Sequence, residues 1–147
     1  MKNIAIFASG NGSNAENITN YFENHTDIKV SCFLCNNPNA GVINRAQRLG
    51  IPCLVFSRDE LNNSTRIIDF LRKHDVCYIV LGGFLLLLPS SITDIYCERI
   101  VNIHPSLLPK FGGKGMYGER VHEAVIAAGE KESGITIHRI NEKYDDG

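Results

Sequence analysis

Residues 3–15, NIAIFASGNGSNA, decide the fold, because they join an apolar run to a glycine loop and then to a helix. Residues 3–8 are apolar enough to predict a buried strand, and residues 9–14 have the composition of a tight loop. Apolar residues then recur at helical spacing, at Ala15, Ile18, Tyr21 and Phe22. The stretch is therefore typical of the first strand and helix of an α/β sheet.

The glycine loop is a candidate anion site. Free N–H groups at the helix start, the helix dipole and the Ser13 hydroxyl can all point at one phosphate. A Walker loop would need Lys-Ser or Lys-Thr, which this loop lacks. The spacing of Gly10, Gly12 and Ala15 fits a loose dinucleotide fingerprint, but the second strand ends at Asn36 instead of an acidic residue. A phosphate monoester fits best, and a loop without a ligand is the alternative.

Strand-like and helix-like segments alternate along the next part of the chain. Apolar runs predict strands at residues 28–34, 52–56 and 76–81, with residues 57–60 as a connection. Helical spacing is found between them, at Val42, Ala46 and Leu49 and again at Ile67, Ile68, Phe70 and Leu71. This order predicts a doubly wound, mostly parallel α/β sheet whose sites lie outside the carboxyl ends of the strands.

Two further stretches follow at that edge. Residues 100–104 predict a strand that stops at Pro105 and carries Asn102 and His104 on one side, where an amide and an imidazole can stabilise an oxyanion. The alternative is a strand end with structural side chains. Residues 82–89, GGFLLLLP, form either a wall for a flat ligand or plain core, and Ser90 or Ser91 is expected to cap a helix to about Tyr96.

The last third of the chain contains a glycine-rich loop at residues 110–118, a helix ended by Gly129 and a strand at residues 134–140 that carries His138. A polar turn at residues 141–147 contains Asp145. No spacing of His and acidic residues here indicates a metal site.

Composition indicates one globular domain. The chain has 147 residues, 44% of them hydrophobic, and a net charge of -1, so a nucleic-acid or membrane partner is not indicated. The apolar runs are too short for a signal peptide or a membrane span, so a cytoplasmic location is expected. Five cysteines, two of them in the Cys32–Cys35 C-x-x-C, are better explained as free thiols in a reducing compartment than as disulfides, a redox pair or a zinc site.

Taken in order, residues 10–14, residues 102–109 and Asp145 resemble the phosphoribosylglycinamide formyltransferases of purine synthesis. The resemblance implies a single formyltransferase domain over residues 1–147, with a Rossmann-like fold and a formyl transfer from 10-formyltetrahydrofolate to the amine of glycinamide ribonucleotide. It implies no metal and leaves the oligomeric state open. The family continues beyond the turn at Asp145, so the chain is expected to be C-terminally incomplete, without the family's last strand and helix.

The resemblance also implies roles for particular residues. The catalytic group would be Asn102, His104 and Asp145, with Asn102 also touching the substrate and His138 either behind this group or structural. Arg58 would meet the folate glutamyl carboxylate. The remaining substrate contacts would be the phosphate loop, Gly12, Ser13 and Asn14, and the pterin wall, Leu85, Leu86, Leu87 and Leu88.

Three other functions remain open. A 10-formyltetrahydrofolate hydrolase has similar catalytic residues but gives the formyl group to water, and the N-terminal phosphate loop disfavours it. A methionyl-tRNA formyltransferase is disfavoured by the missing basic surface. A noncatalytic nucleotide-binding module would leave Asn102, His104 and Asp145 without a common purpose.

Overall fold

The computed structural model describes residues 2–103 and 137–139, which form a six-stranded sheet with helices on both faces. The strands are β1 (Lys2–Ala8), β2 (Ile28–Cys35), β3 (Cys53–Val55), β4 (Val76–Gly82), β5 (Ile100–Ile103) and β6 (Ile137–Arg139). The helices are α1 (Ser13–Tyr21), α2 (Gly41–Leu49), α3 (Arg58–Asn63), α4 (Thr65–Lys73) and α5 (Ser90–Thr93).

The strand order is β3-β2-β1-β4-β5-β6. Strands β2 and β3 therefore lie on one side of β1, and β4, β5 and β6 lie on its other side. Strands β1 to β5 are parallel, and β6 runs antiparallel to β5. The order therefore reverses between β1 and β4. In open α/β sheets, ligands bind outside the carboxyl ends of the strands at such a reversal.

Alternate residues of the strands pack into two separate cores, one on each face of the sheet. On one face, Ile4 and Ile6 of β1 meet Ile18 of α1 and Val42 of α2. On the other face, Phe7 packs in a core with residues of α3, α4 and α5, which include Leu61, Ile67, Leu71 and Ile92. Both faces are covered, which confirms the predicted doubly wound, mostly parallel α/β class.

Local details differ from the expectations at three places. Residues 57–60 are not a plain connection, because they begin α3 through a capping box in which the Ser57 hydroxyl accepts from the Glu60 N–H and the Glu60 carboxylate accepts from the Ser57 N–H. Neither Ser90 nor Ser91 caps α5, whose N-cap position is Pro89. Tyr21 lies on the outer side of α1 and is 40% exposed.

The cysteines in this part of the chain are free thiols, as predicted. Cys32 and Cys35 are three residues apart on β2, so they point to opposite faces of the sheet and pack into different cores. Burial raises the pKa of the Cys32 thiol to about 12 and also raises the pKa of the Cys35 thiol. This pair therefore cannot close a disulfide or chelate one metal ion.

The predicted glycine-rich loop, the helix ended by Gly129 and the polar turn with Asp145 lie outside the described residues. Of the predicted strand at residues 134–140, residues 137–139 are described and pair with β5. Across the described ranges, the helices are all too short or too polar to cross a bilayer.

Candidate active site at the carboxyl edge of the sheet

The loop between β1 and α1 lies at the reversal of strand order. Gly12, the N-cap residue of α1, has a φ of 84°, a left-handed conformation that glycine adopts without steric cost. Because glycine has no side chain that could accept a hydrogen bond, the N-cap residue does not cap the first-turn N–H groups of α1. Ser13 is exposed and Asn14 is half-buried, with its Cβ close to Gly82 at the end of β4. The predicted phosphate-loop residues thus lie together at the carboxyl ends of β1 and β4.

Helix α2 holds this loop from one side. A Cβ on Gly12 would lie 2.6 Å from the Val42 Cβ, so only glycine allows the observed approach. The Gly10 carbonyl accepts from the Val42 N–H, and Arg45 donates through Nε to the Asn11 carbonyl at 2.8 Å and through Nη2 to the Asn11 side chain. These contacts therefore fix α2 relative to the loop between β1 and α1, and so relative to α1.

Glu16 of α1 completes this support. It forms ion pairs with Arg45 and Arg48 of α2. The hydrogen bonds from Arg48 and Arg45 lower the pKa of Glu16 to about 2. The carboxylate is therefore charged at neutral pH, and it is paired with the guanidinium groups of both Arg45 and Arg48.

Ser9 is the first residue after β1, and it connects the ends of three strands. Its hydroxyl donates to the Asn36 Oδ1 at 2.6 Å, just after β2, and accepts from the Leu85 N–H at 2.9 Å, after β4. Its own N–H donates to the Gly83 carbonyl at 3.1 Å. Ser9 itself is buried, at 6% exposed, whereas Asn36 is half-buried and Leu85 is exposed.

The leucine segment after β4 divides between core and surface. Leu88 is buried in the second core and Leu86 packs partly against it, whereas Leu85 and Leu87 are 71% and 47% exposed. Phe84 is buried, with its ring centroid 5.2 Å from that of Phe7 in an edge-on contact. Phe84 is thus core, and the exposed apolar surface of this segment comes from Leu85 and Leu87.

Arg58 is the first residue of α3 and is exposed. It lies two residues after Phe56, whose ring centroid is 6.1 Å from that of Phe84. The other end of α3 is joined to α5 by a 2.6 Å hydrogen bond between the Ser64 and Ser91 hydroxyls. The start of α3 and the start of the leucine segment are therefore on neighbouring parts of the carboxyl edge.

Asn102 is half-buried near the end of β5, one strand beyond β4. In the sheet register it lies opposite Leu81 of β4 and His138 of β6. Its predicted partners His104 and Asp145 lie outside the described residues. The structure thus brings the phosphate loop, the leucine segment and Asn102 to one edge, and the full catalytic group stays a prediction.

The sequence interpretation did not give roles to Ser9, Asn36 or Arg45. Ser9 and Asn36 each follow a buried strand directly, and that position at the carboxyl edge of a parallel sheet is the signal that marks them. Arg45 lies on a polar helix face and carries no such signal. Among the residues that the structure describes, no three His, Cys, Asp or Glu side chains are close enough to hold a metal ion.

The chain is similar in sequence to a known protein family and to named relatives. The family model described as formyl transferase matches residues 2–147. The phosphoribosylglycinamide formyltransferase of Bacillus subtilis (strain 168) is 40% identical over 152 residues, covering 100% of this chain and 75% of the relative. The chloroplastic phosphoribosylglycinamide formyltransferase of Arabidopsis thaliana is 40% identical over 99% of this chain and 52% of the relative. The chain thus spans about half the length of the plant relative.

Solved structures agree with the fold. Glycinamide ribonucleotide transformylase 1 from Geobacillus kaustophilus superposes with a TM-score of 0.76 at 34% identity, covering 100% of this chain and 78% of that one. The phosphoribosylglycinamide formyltransferase from Anaplasma phagocytophilum also gives 0.76, at 35% identity over 99% of this chain and 68% of that one. The likeness therefore extends over the whole chain and is not limited to one motif.

Proposed function

The chain belongs to the formyl transferase family, and from this we propose that it transfers the formyl group of 10-formyltetrahydrofolate to the amine of glycinamide ribonucleotide. This reaction is a step of de novo purine biosynthesis. The observation that carries the proposal is the placement of the Gly12 to Asn14 loop and Asn102 on one carboxyl edge, beside the reversal of strand order. Relatives named phosphoribosylglycinamide formyltransferase support the choice of substrates.

The distance between the two parts of the site suits this substrate. β1 and β5 are separated by β4 alone, so their axes lie about 10 Å apart at the usual strand spacing. A ribose phosphate that carries a glycinamide has a comparable length. We propose that its phosphate binds to the N–H groups at the start of α1 and to Ser13 and Asn14, which leaves its amine near the end of β5.

In the proposed reaction, Asn102 donates a hydrogen bond to the formyl oxygen as the amine nitrogen attacks the formyl carbon. A protonated His104 stabilises the same oxygen as negative charge grows on it, and loss of one such donor typically costs about 2.7 to 4 kcal/mol of barrier. Asp145 favours the charged imidazole and, through a water molecule, helps to move a proton from the amine to the departing folate nitrogen. After the amine has added to the formyl carbon, the carbonyl re-forms, the bond from that carbon to the folate nitrogen breaks, and the nitrogen leaves with the transferred proton.

The folate would occupy the other part of the same edge. Leu85 and Leu87 supply exposed apolar surface for the flat pterin ring, with Leu86 and Leu88 supporting them from the core. Arg58 is exposed on the neighbouring helix start and can pair with the glutamyl carboxylate. The proposal gives no role to a metal ion. A cytoplasmic location stays a prediction, because relatives from plants are named chloroplastic.

The test measures formyl transfer and ligand binding together. Purified protein is given 10-formyltetrahydrofolate with and without glycinamide ribonucleotide, and each ligand is titrated separately. We expect formyl transfer that depends on the ribonucleotide. Formate release without the ribonucleotide would favour the hydrolase, and binding of nucleotides without folate would favour a noncatalytic module.

The Asp145→Asn variant tests the proposed mechanism within this function. Because the amide carries no charge, the variant should lose most of its turnover, while the dissociation constant of the ribonucleotide stays nearly the same. Near-normal turnover of Asp145→Asn would show that this role is wrongly assigned. The exposed Asp59→Asn on α3 is the matched control.

A further inference from the structure

Ser9 is the point at which the loops after β1, β2 and β4 are joined. The hydroxyl of a serine has one proton to donate, and here that proton goes to the Asn36 Oδ1 at 2.6 Å. This bond fixes the rotation of the hydroxyl and leaves a lone pair of its oxygen for the Leu85 N–H, at 2.9 Å. Asn36 therefore orients Ser9, and Ser9 in turn holds the backbone of Leu85.

The phosphate loop and the leucine segment are held at the carboxyl edge by different contacts. The phosphate-loop side is held by Arg45 on Asn11 and by the contact of Gly12 with Val42, which do not involve the Ser9 hydroxyl. On the other side, the Leu85 N–H donates a hydrogen bond to that hydroxyl, and Leu85 is the most exposed of the apolar residues in this segment. Loss of the hydroxyl should therefore displace the leucine segment more than the glycine loop.

We propose that Ser9, oriented by Asn36, is a positioning residue that fixes the leucine segment relative to the phosphate loop, and so fixes the formyl donor relative to the amine. This inference rests on the proposed function. A misplacement of about 1 Å between reacting groups can cost about 100-fold in rate, so hydrogen bonds that hold the two substrate sites at a fixed distance affect turnover directly. The side chain acts through Leu85 and does not touch the reacting atoms.

The first experiment compares Ser9→Ala with Ser31→Ala. Ser31 is a half-buried serine on β2 whose hydroxyl approaches the Ile4 carbonyl at 3.5 Å, so it is a matched control that lies outside the carboxyl edge. We expect Ser9→Ala to raise the KM for the formyl donor about tenfold and to lower kcat, with the KM for the ribonucleotide changed by less than about twofold. A change of equal size for both substrates, or no change, would overturn the inference.

A second variant keeps the test valid if Ser9→Ala does not fold, since that change removes both hydrogen bonds of the Ser9 hydroxyl, the one donated to Asn36 and the one accepted from Leu85. Asn36→Ala retains the Ser9 hydroxyl but removes the acceptor that orients it. We expect the same pattern with a smaller rise in the donor KM, and we expect the double variant to be no worse than Ser9→Ala alone. Effects that simply add would show that the two residues act separately.

Amide hydrogen exchange gives a readout that does not require turnover. The Leu85 N–H should exchange faster in Ser9→Ala and in Asn36→Ala than in the wild type and in Ser31→Ala, because its acceptor is lost or misoriented. Unchanged exchange at Leu85 would overturn the inference even if the wild type transfers formyl groups. If the wild type transfers no formyl group but exchange at Leu85 is still faster in the two variants, the proposed function is wrong and the structural role of Ser9 stands.

Discussion

Gly12 is the residue at which the backbone tolerates least change. An alanine there would have to adopt the left-handed conformation, which costs about 1–2 kcal/mol. Its Cβ would also overlap Val42, and such overpacking typically costs about 1–3 kcal/mol more. We expect Gly12→Ala to lower the free energy of unfolding in urea by about 2–5 kcal/mol.

Gly10→Ala is the control for this prediction, because a Cβ at Gly10 would meet no atom of the described structure within 4 Å. We expect it to change the free energy of unfolding by less than about 1 kcal/mol. Equal losses in the two variants would contradict the explanation by steric overlap.

Ser13 and Asn14 test the phosphate loop at the scale of single side chains. A hydrogen bond to a charged group contributes about 1.5–3 kcal/mol, and 1.4 kcal/mol is tenfold in affinity. The double variant Ser13→Ala, Asn14→Ala should therefore raise the KM for the ribonucleotide about tenfold or more. Asn20→Ala, at the other end of α1 and exposed, should leave it unchanged. An unaltered KM in the double variant would remove the phosphate role.

Helix α3 shows how a local motif sets the start of an element. Its capping box satisfies two backbone N–H groups, those of Ser57 and Glu60. Replacement of an N-cap serine by alanine typically costs about 1 kcal/mol. We expect Ser57→Ala to lower the free energy of unfolding by about that amount, as measured by urea denaturation.

Ser90→Ala is the comparison for α5, whose N-cap position is occupied by Pro89. Because the Ser90 side chain does not cap that helix, its loss should change the free energy of unfolding by less than about 0.5 kcal/mol. A loss as large as that of Ser57→Ala would mean that Ser90 does act as a cap, as its sequence suggested.

The elements themselves were largely predictable from sequence. The apolar runs gave β1, β2 and β4 to within one residue at each end, because strands covered on both faces need continuous apolar sequence. The start of α3 was missed although Ser57 and Glu60 have the capping-box spacing, since a helix of six residues shows little periodicity. Propensity also could not show that Tyr21 faces outward while Phe22 faces the core.

At the scale of the whole molecule, the ion pairs of Glu16 connect α1 to α2 across one face of the sheet. The pKa of Glu16 is lowered from 4.5 to about 2 in the folded state, so the folded protein binds the proton less well than the unfolded chain. The stabilisation is therefore fully present above about pH 4.5 and is lost as the pH falls towards 2.

This gives a prediction for acid unfolding. Glu16→Gln should be less stable than the wild type at pH 6, and the difference should shrink as the pH is lowered from 5 to 2, as followed by urea unfolding at several pH values. Glu23→Gln, at an exposed site in the turn after α1, serves as the control. A constant difference between Glu16→Gln and the wild type across this range would refute the linkage to the Glu16 carboxyl.

The sequence by itself determined the order and type of the elements other than α3, the glycine loop and the position of Asn102 near the end of a strand. These features depend on side-chain periodicity and on backbone conformation, which are local properties of the chain. The free Cys32 and Cys35 thiols were also predicted, because five cysteines are an odd number and several lie inside apolar runs that read as strands.

Only the tertiary structure decided which strands are neighbours. β1 pairs with β4 although more than seventy residues separate Ala5 from its partner Ile79 in the chain, and this pairing brings Ser9 to Gly83 and Leu85. It also decided that Phe84 and Leu88 are core while Leu85 and Leu87 are exposed. The physical reason is that pairing and burial arise from the packing of distant segments over both faces of the sheet, which no local pattern along the chain encodes.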